Sequence, residues 1–92
     1  MGSDYFDESV PDGVANAVQE LFPEIDCSGQ DGYELLVMTF GDDVDGARFK
    51  AFDERHCREM AANLQSYLEL SEPVSTEQGR FVIESALRQW GG

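Results

Sequence analysis

The sequence predicts an α+β domain of order α-β-β-β-α-α: a three-stranded antiparallel meander with one helix before it and two after, the helices covering one face. Three observations carry that expectation. A stripe of apolar residues at helical spacing ends at Pro23. An unbroken apolar run, Leu35-Leu36-Val37-Met38, sits mid-chain between glycine-bearing turns. Two longer stripes at helical spacing follow Asp53. At 92 residues the chain makes one domain, 1–92, of a size that buries about 60% of its unfolded surface.

Residues 1–10 are acidic, carry Tyr5 and Phe6 and show no period, so they read as a loosely ordered arm. In the first helix Val14, Ala17, Val18, Leu21 and Phe22 fall at i, i+3, i+4, i+7 and i+8. Ser9 or Asp12 caps its start, Pro11 is tolerated in the first turn, and Pro23 ends it by holding Phe22 out of the helical region. Ile25 to Ser28 reads as a short strand with Ile25 and Cys27 facing inward, and Gly29-Gln30-Asp31-Gly32 as the turn after it. Tyr33 to Phe40 follows as the central strand, its apolar run implying burial on both faces. An acidic turn, Gly41 to Gly46, leads into a third strand in which Ala47, Phe49 and Ala51 alternate with Arg48 and Lys50.

Asp53 is the expected N-cap of a second helix reaching about Leu70, with Cys57, Met60, Ala61, Leu64, Tyr67 and Leu68 as its buried stripe. Pro73 breaks it. Ser75 with Gln78 three residues on is a capping-box pattern that opens the third helix, whose stripe is Val82, Ile83, Ala86, Leu87 and Trp90. Gly79 inside that helix costs roughly 1 kcal/mol against alanine, which makes its first turn the weakest element.

The net charge of −13 is unusual, and it is distributed unevenly. Residues 1–47 hold twelve acids and no Lys or Arg, a balance of −12; residues 48–92 hold seven acids against six bases, a balance of −1. A field this one-sided speeds association with a cationic partner and repels nucleic acid and anionic membranes. Adaptation to high salt would acidify both halves alike. Ten aromatics and clear periodicity set the chain apart from disordered acidic proteins. Two cysteines, Cys27 and Cys57, are too few for a disulfide framework and read as free thiols in a reducing cytoplasm, that of a bacterial host cell, although one pairing stays open. No apolar run approaches the ~20 residues of a membrane span.

Chemistry finds little support. With Asp43, Asp45 and Gly46 placed at positions 3, 5 and 6 of a calcium-binding EF-hand loop, Gly41 and Phe52 fall where carboxylates are required. Asp53, His56 and Cys57 share a helix face, but capping, exposure and core packing account for them one by one, and a zinc ion needs a fourth ligand. His56 is the only histidine, and no phosphate-binding, dinucleotide-binding or nucleophile-elbow motif accompanies it. The expectation is therefore a non-enzyme with no catalytic residue, metal or cofactor.

What remains is an array of carboxylates: Glu20, Glu24, Asp26, Asp31, Glu34, Asp42, Asp43 and Asp45. Their helical and strand spacings, about 6 Å, suit a groove built for the regularly charged backbone of nucleic acid. Carboxylates are also good bidentate partners for arginine. In its small size, strong acidity, short meander and flanking amphipathic helices, the chain resembles phage-encoded DNA-mimic inhibitors, anti-CRISPR proteins among them. That resemblance implies a protein that binds the basic surface of a nucleic-acid-binding protein or complex and blocks its DNA or RNA path, with no direct contact to nucleic acid or membrane. Two other readings stand beside it: an immunity or antitoxin protein neutralising a basic nuclease, and a host domain whose acidity serves solubility alone.

Overall fold

Among the residues that the computed structural model describes, 9–41 and 49–90, four amphipathic segments form the main helices. They are α1 (Ser9–Leu21), α2 (Gly29–Phe40), α3 (Glu54–Tyr67) and α4 (Thr76–Trp90). α1 packs on α2 and α4, and α3 packs on the same two, so among the described residues the four helices close around one core. α2 and α3 run antiparallel: Phe40 stacks on His56 at one end, and Tyr67 reaches Asp31 at the other.

The expected meander is overturned. Among the described residues there is no strand, and the fold is all-α. Tyr33 to Phe40, expected to be the central strand, is the body of α2. Its buried residues are Gly32, Leu35, Leu36, Thr39 and Phe40, at i, i+3, i+4, i+7 and i+8. Within the apolar run Val37 is only half-buried and Met38 is 44% exposed, so burial does not extend to both sides. Leu and Met also favour helix over strand.

The expected turn at Gly29 to Gly32 is instead the first turn of α2. Ser28 caps it, and the capping box is complete. The Asp31 N–H donates to Ser28 Oγ at 3.4 Å and the Ser28 N–H donates to Asp31 Oδ2 at 2.9 Å. Gly32 is there for close approach: a Cβ at this position would run into the Pro11 carbonyl oxygen of α1. The expected strand at Ile25 to Ser28 belongs to the connection between α1 and α2, with Cys27 buried. In the expected third strand Phe49 and Lys50 are helical and Ala51 is in a turn; Ala47, Arg48 and the acidic turn at 42–46 lie outside the described residues. Residues 1–8 of the expected arm also lie outside them, while Ser9 and Val10 begin α1 and Val10 is fully buried.

The helices expected in the C-terminal half are present. Asp53 is the N-cap of α3, whose N3 partner is His56: the His56 N–H donates to Asp53 Oδ1 at 3.2 Å, and the Asp53 N–H donates to His56 Nδ1 at 3.1 Å. Cys57, Met60, Ala61 and Leu64 are buried, but α3 ends at Tyr67, three residues before Leu70. Ser75 and Gln78 make reciprocal bonds at the start of α4, where Val82, Ile83 and Ala86 are fully buried. Pro11 sits in the first turn of α1, where its missing N–H costs nothing.

The core lies between all four helices, with Leu35, Leu36, Met60, Leu64, Ile83 and Phe49 its largest fully buried side chains. Each contributes about 1.5–3 kcal/mol relative to exposure. Phe49 sits edge-on to Phe40 with ring centroids 5.4 Å apart and lies against Trp90, while Lys50 Nζ stands 5.0 Å over the Trp90 ring. Between α2 and α3, Asn63 Nδ2 donates to Thr39 Oγ1 at 3.0 Å, which satisfies a buried hydroxyl.

Candidate partner-binding face

The charge split of the sequence becomes a sidedness of the bundle. Residues 9–41 hold Asp12, Glu20, Glu24, Asp26, Asp31 and Glu34 and no base; residues 49–90 hold seven acids and five bases. Because the first segment forms α1 and α2, which pack on each other, the unbalanced carboxylates gather on one side. The mixed charges of α3 and α4 make up the other.

The carboxylates expected from the sequence to meet a partner fall into three groups. Glu20 near the end of α1, and Glu24 and Asp26 in the connection after it, are all exposed. Asp31 and Glu34 stand at i and i+3 on α2, which makes them neighbours on the helix surface. Asp42, Asp43 and Asp45 lie outside the described residues.

Asp31 has a structural task as well. Oδ2 receives the Ser28 N–H and hydroxyl, and Oδ1 receives the Tyr67 hydroxyl at 2.8 Å. The Ser28 N–H first, and the Tyr67 hydroxyl second, hold its carboxyl below the ordinary carboxylate range. The group therefore stays charged at neutral pH while two neighbours fix its position.

Two nearby groups register the negative field. Burial, then the charges of Asp31 and Asp26, push the Cys27 thiol up to about 11. The bond donated to Asp31, then burial and the charges of Asp31 and Glu34, push up the Tyr67 phenol. Cys27 and Cys57 are separate buried thiols. Burial is also the chief cause raising the Cys57 thiol.

The residues that sequence reasoning missed are apolar. Among the described residues the exposed large hydrophobic side chains are Tyr33 at 47%, Met38 at 44% and Tyr67 at 36%. Tyr33 and Met38 lie on α2, and Tyr67 is bonded to it through Asp31. A strand reading placed Tyr33 and Met38 within a sheet, and the helical stripe of α3 placed Tyr67 in the core. The signal for the first two was the stripe through residues 32, 35, 36, 39 and 40, which leaves 33 and 38 on its flanks.

The trio Asp53, His56 and Cys57 divides between two tasks. Asp53 and His56 face each other across the start of α3, with the imidazole stacked on Phe40 at 4.6 Å, while Cys57 is fully buried. Among the described residues no group of three His, Cys, Asp or Glu side chains converges on a point where a metal ion would sit. No helix of the described residues is long and apolar enough to cross a membrane. Comparisons of the chain with protein-family models, curated proteins and solved structures find no match in any of the three.

Proposed function

We propose that the chain is a non-enzymatic inhibitor that lays its acidic α1–α2 side on the cationic nucleic-acid path of a DNA- or RNA-binding protein or complex, in the place of the phosphate backbone. The observation that carries this reading is the sidedness: six acids and no base on the segment forming α1 and α2, against near balance on α3 and α4. A solubilising charge has no reason to be confined to one side of a bundle. A docking surface has, because like charges on it reinforce one another's attraction for the partner and steer the encounter.

Glu20, Glu24, Asp26 and Glu34 lie outside the capping bonds that hold the helix ends, so their carboxylates are open to arginine and lysine of a partner. The same charges disfavour direct binding of the chain to nucleic acid. Capture from host lysate on the immobilised chain tests the reading. The captured proteins should be nucleic-acid-binding, and added DNA or RNA should displace them. Captured proteins that stay bound under excess nucleic acid, or a nucleic-acid probe bound by the chain alone, would contradict it.

A further inference from the structure

Carboxylates alone make a weak and unselective interface, because exposed ion pairs contribute little and are screened by salt. The exposed apolar side chains supply what they lack. Single exposed hydrophobics are ordinary on a protein surface. Here, among the described residues, two of the three large ones, Tyr33 and Met38, lie on α2, which carries no base, and the third, Tyr67 of α3, is tied to α2 through Asp31.

On α2 the buried stripe leaves Gln30, Glu34 and Val37 along the outer ridge, with Tyr33 on one flank of Glu34 and Met38 on the other. Asp31 is adjacent on the Met38 flank, held there by Ser28 and Tyr67. From the structure we infer that this outer face of α2 is the energetic centre of the docking surface, and that its occupant is an arginine-bearing basic protein surface. The inference rests on the proposed reading of the acidic side as a docking surface and names the anchor within it.

Arginine rather than lysine follows from the chemistry of the face. A guanidinium stacks flat on a tyrosine ring while its N–H fork meets a carboxylate, and Tyr33, which shares a shallow groove with Asp12 of α1, offers both. Methionine packs against irregular aliphatic stems, such as the three methylenes of arginine. Tyr, Met and Arg are also the residue types enriched where interfaces carry their energy. A second copy of this chain is a poor occupant, since pairing two such faces apposes Asp31 and Glu34 with no base in residues 9–41 to neutralise them. An anionic lipid surface is repelled for the same reason.

The test uses the isotope-labelled full chain with two probes, a nona-arginine peptide and a nona-lysine peptide of equal charge. The arginine peptide should bind several-fold more tightly, with amide shift changes concentrated at residues 30–38. Tyr33→Ala should lower affinity for the arginine peptide about tenfold and leave the lysine peptide within about twofold. Met38→Ala should act in the same direction. Both positions are exposed, so the helical circular dichroism should be unchanged. Equal binding of the two peptides, with shifts spread over every exposed carboxylate, would overturn the anchor and leave the acidic-side reading standing. Absence of binding by either peptide would overturn both. A dimer of the free chain with residues 30–38 at its interface would overturn the inference by naming a second copy as occupant.

Discussion

Gly79→Ala separates the packing of the bundle from simple helix propensity. In an exposed helix interior the change gains about 1 kcal/mol, because alanine loses less backbone entropy than glycine. Gly79 is buried where α4 crosses α3. A Cβ there would run into the Cys57 carbonyl oxygen, with the Ala61 nitrogen 3.0 Å away and the Cys57 carbonyl carbon at 3.3 Å. All three obstacles are backbone of α3, so no side-chain rotation relieves them and the two helices must part. A radial gap of about 0.5–1 Å forfeits a quarter to a half of each dispersion contact across it. The contacts at risk are those in the core that Cys57, Met60 and Leu64 of α3 share with Val82, Ile83 and Ala86 of α4. Overpacking of this kind costs about 1–3 kcal/mol, and rigid obstacles place Gly79→Ala toward the upper end. After the propensity gain, the net loss is about 1–2 kcal/mol, and each kcal/mol lowers the Tm of a domain this size by about 4–8 °C. Urea unfolding followed by circular dichroism gives the stability directly. Ala62→Gly on the exposed side of α3 calibrates propensity alone, with an expected loss of about 1 kcal/mol. A Gly79→Ala protein more stable than wild type would refute the close crossing of α3 and α4.

Three further outcomes follow from individual side chains. Leu64→Ala, at a fully buried position, should cost about 2–5 kcal/mol in the same unfolding assay, and a neutral result would place α3 wrongly. Asp31 has a folded pKa below its unfolded value near 3.9, so its capping bonds add stability that is fully present above that value and lost as pH falls through the folded one. Tyr67→Phe removes one of its donors, and the Asp31 carboxyl titration seen by NMR should move up; an unmoved midpoint would show that the Tyr67 bond does not form. Cys27, buried and pushed up to about 11, should resist alkylation near pH 8 until denaturant opens the fold. Alkylation of the folded chain at the rate of a free thiol would contradict its burial.

Much of the helical half was legible in the sequence. Asp53 and the Ser75/Gln78 pair occupy their capping positions, and the stripes of α1, α3 and α4 reach the core, because each was long and repeated on apolar side chains alone. α2 was not legible, for two local reasons. Two of its five buried positions are Gly32 and Thr39, which break the apolar pattern by type although both are buried. Gly29 and Gly32 also look like turn chemistry, whereas Gly32 is small because Pro11 of α1 lies against it. The Ser28/Asp31 spacing was a helix-start signal that the turn reading hid. The charge asymmetry could be read as a number, but its meaning as a side of the molecule needed α1 and α2 to be neighbours. Tyr33 and Met38 became visible only when their segment became a helix.

Paired charge reversal measured against the captured partner tests the central claim most directly. One variant carries Glu20→Lys, Glu24→Lys and Glu34→Lys on the acidic side; the other carries Glu59→Lys, Glu69→Lys and Glu77→Lys on the balanced side, all at exposed positions. Both raise the net charge from −13 by the same amount, so position alone distinguishes them. Affinity measured by calorimetry across a salt series should fall by about 100-fold or more in the first variant, with a flatter salt dependence, and by no more than about threefold in the second. Equal losses in the two variants would reduce the effect to total charge, and a larger loss in the second would place the interface on α3 and α4, contradicting the acidic-side account.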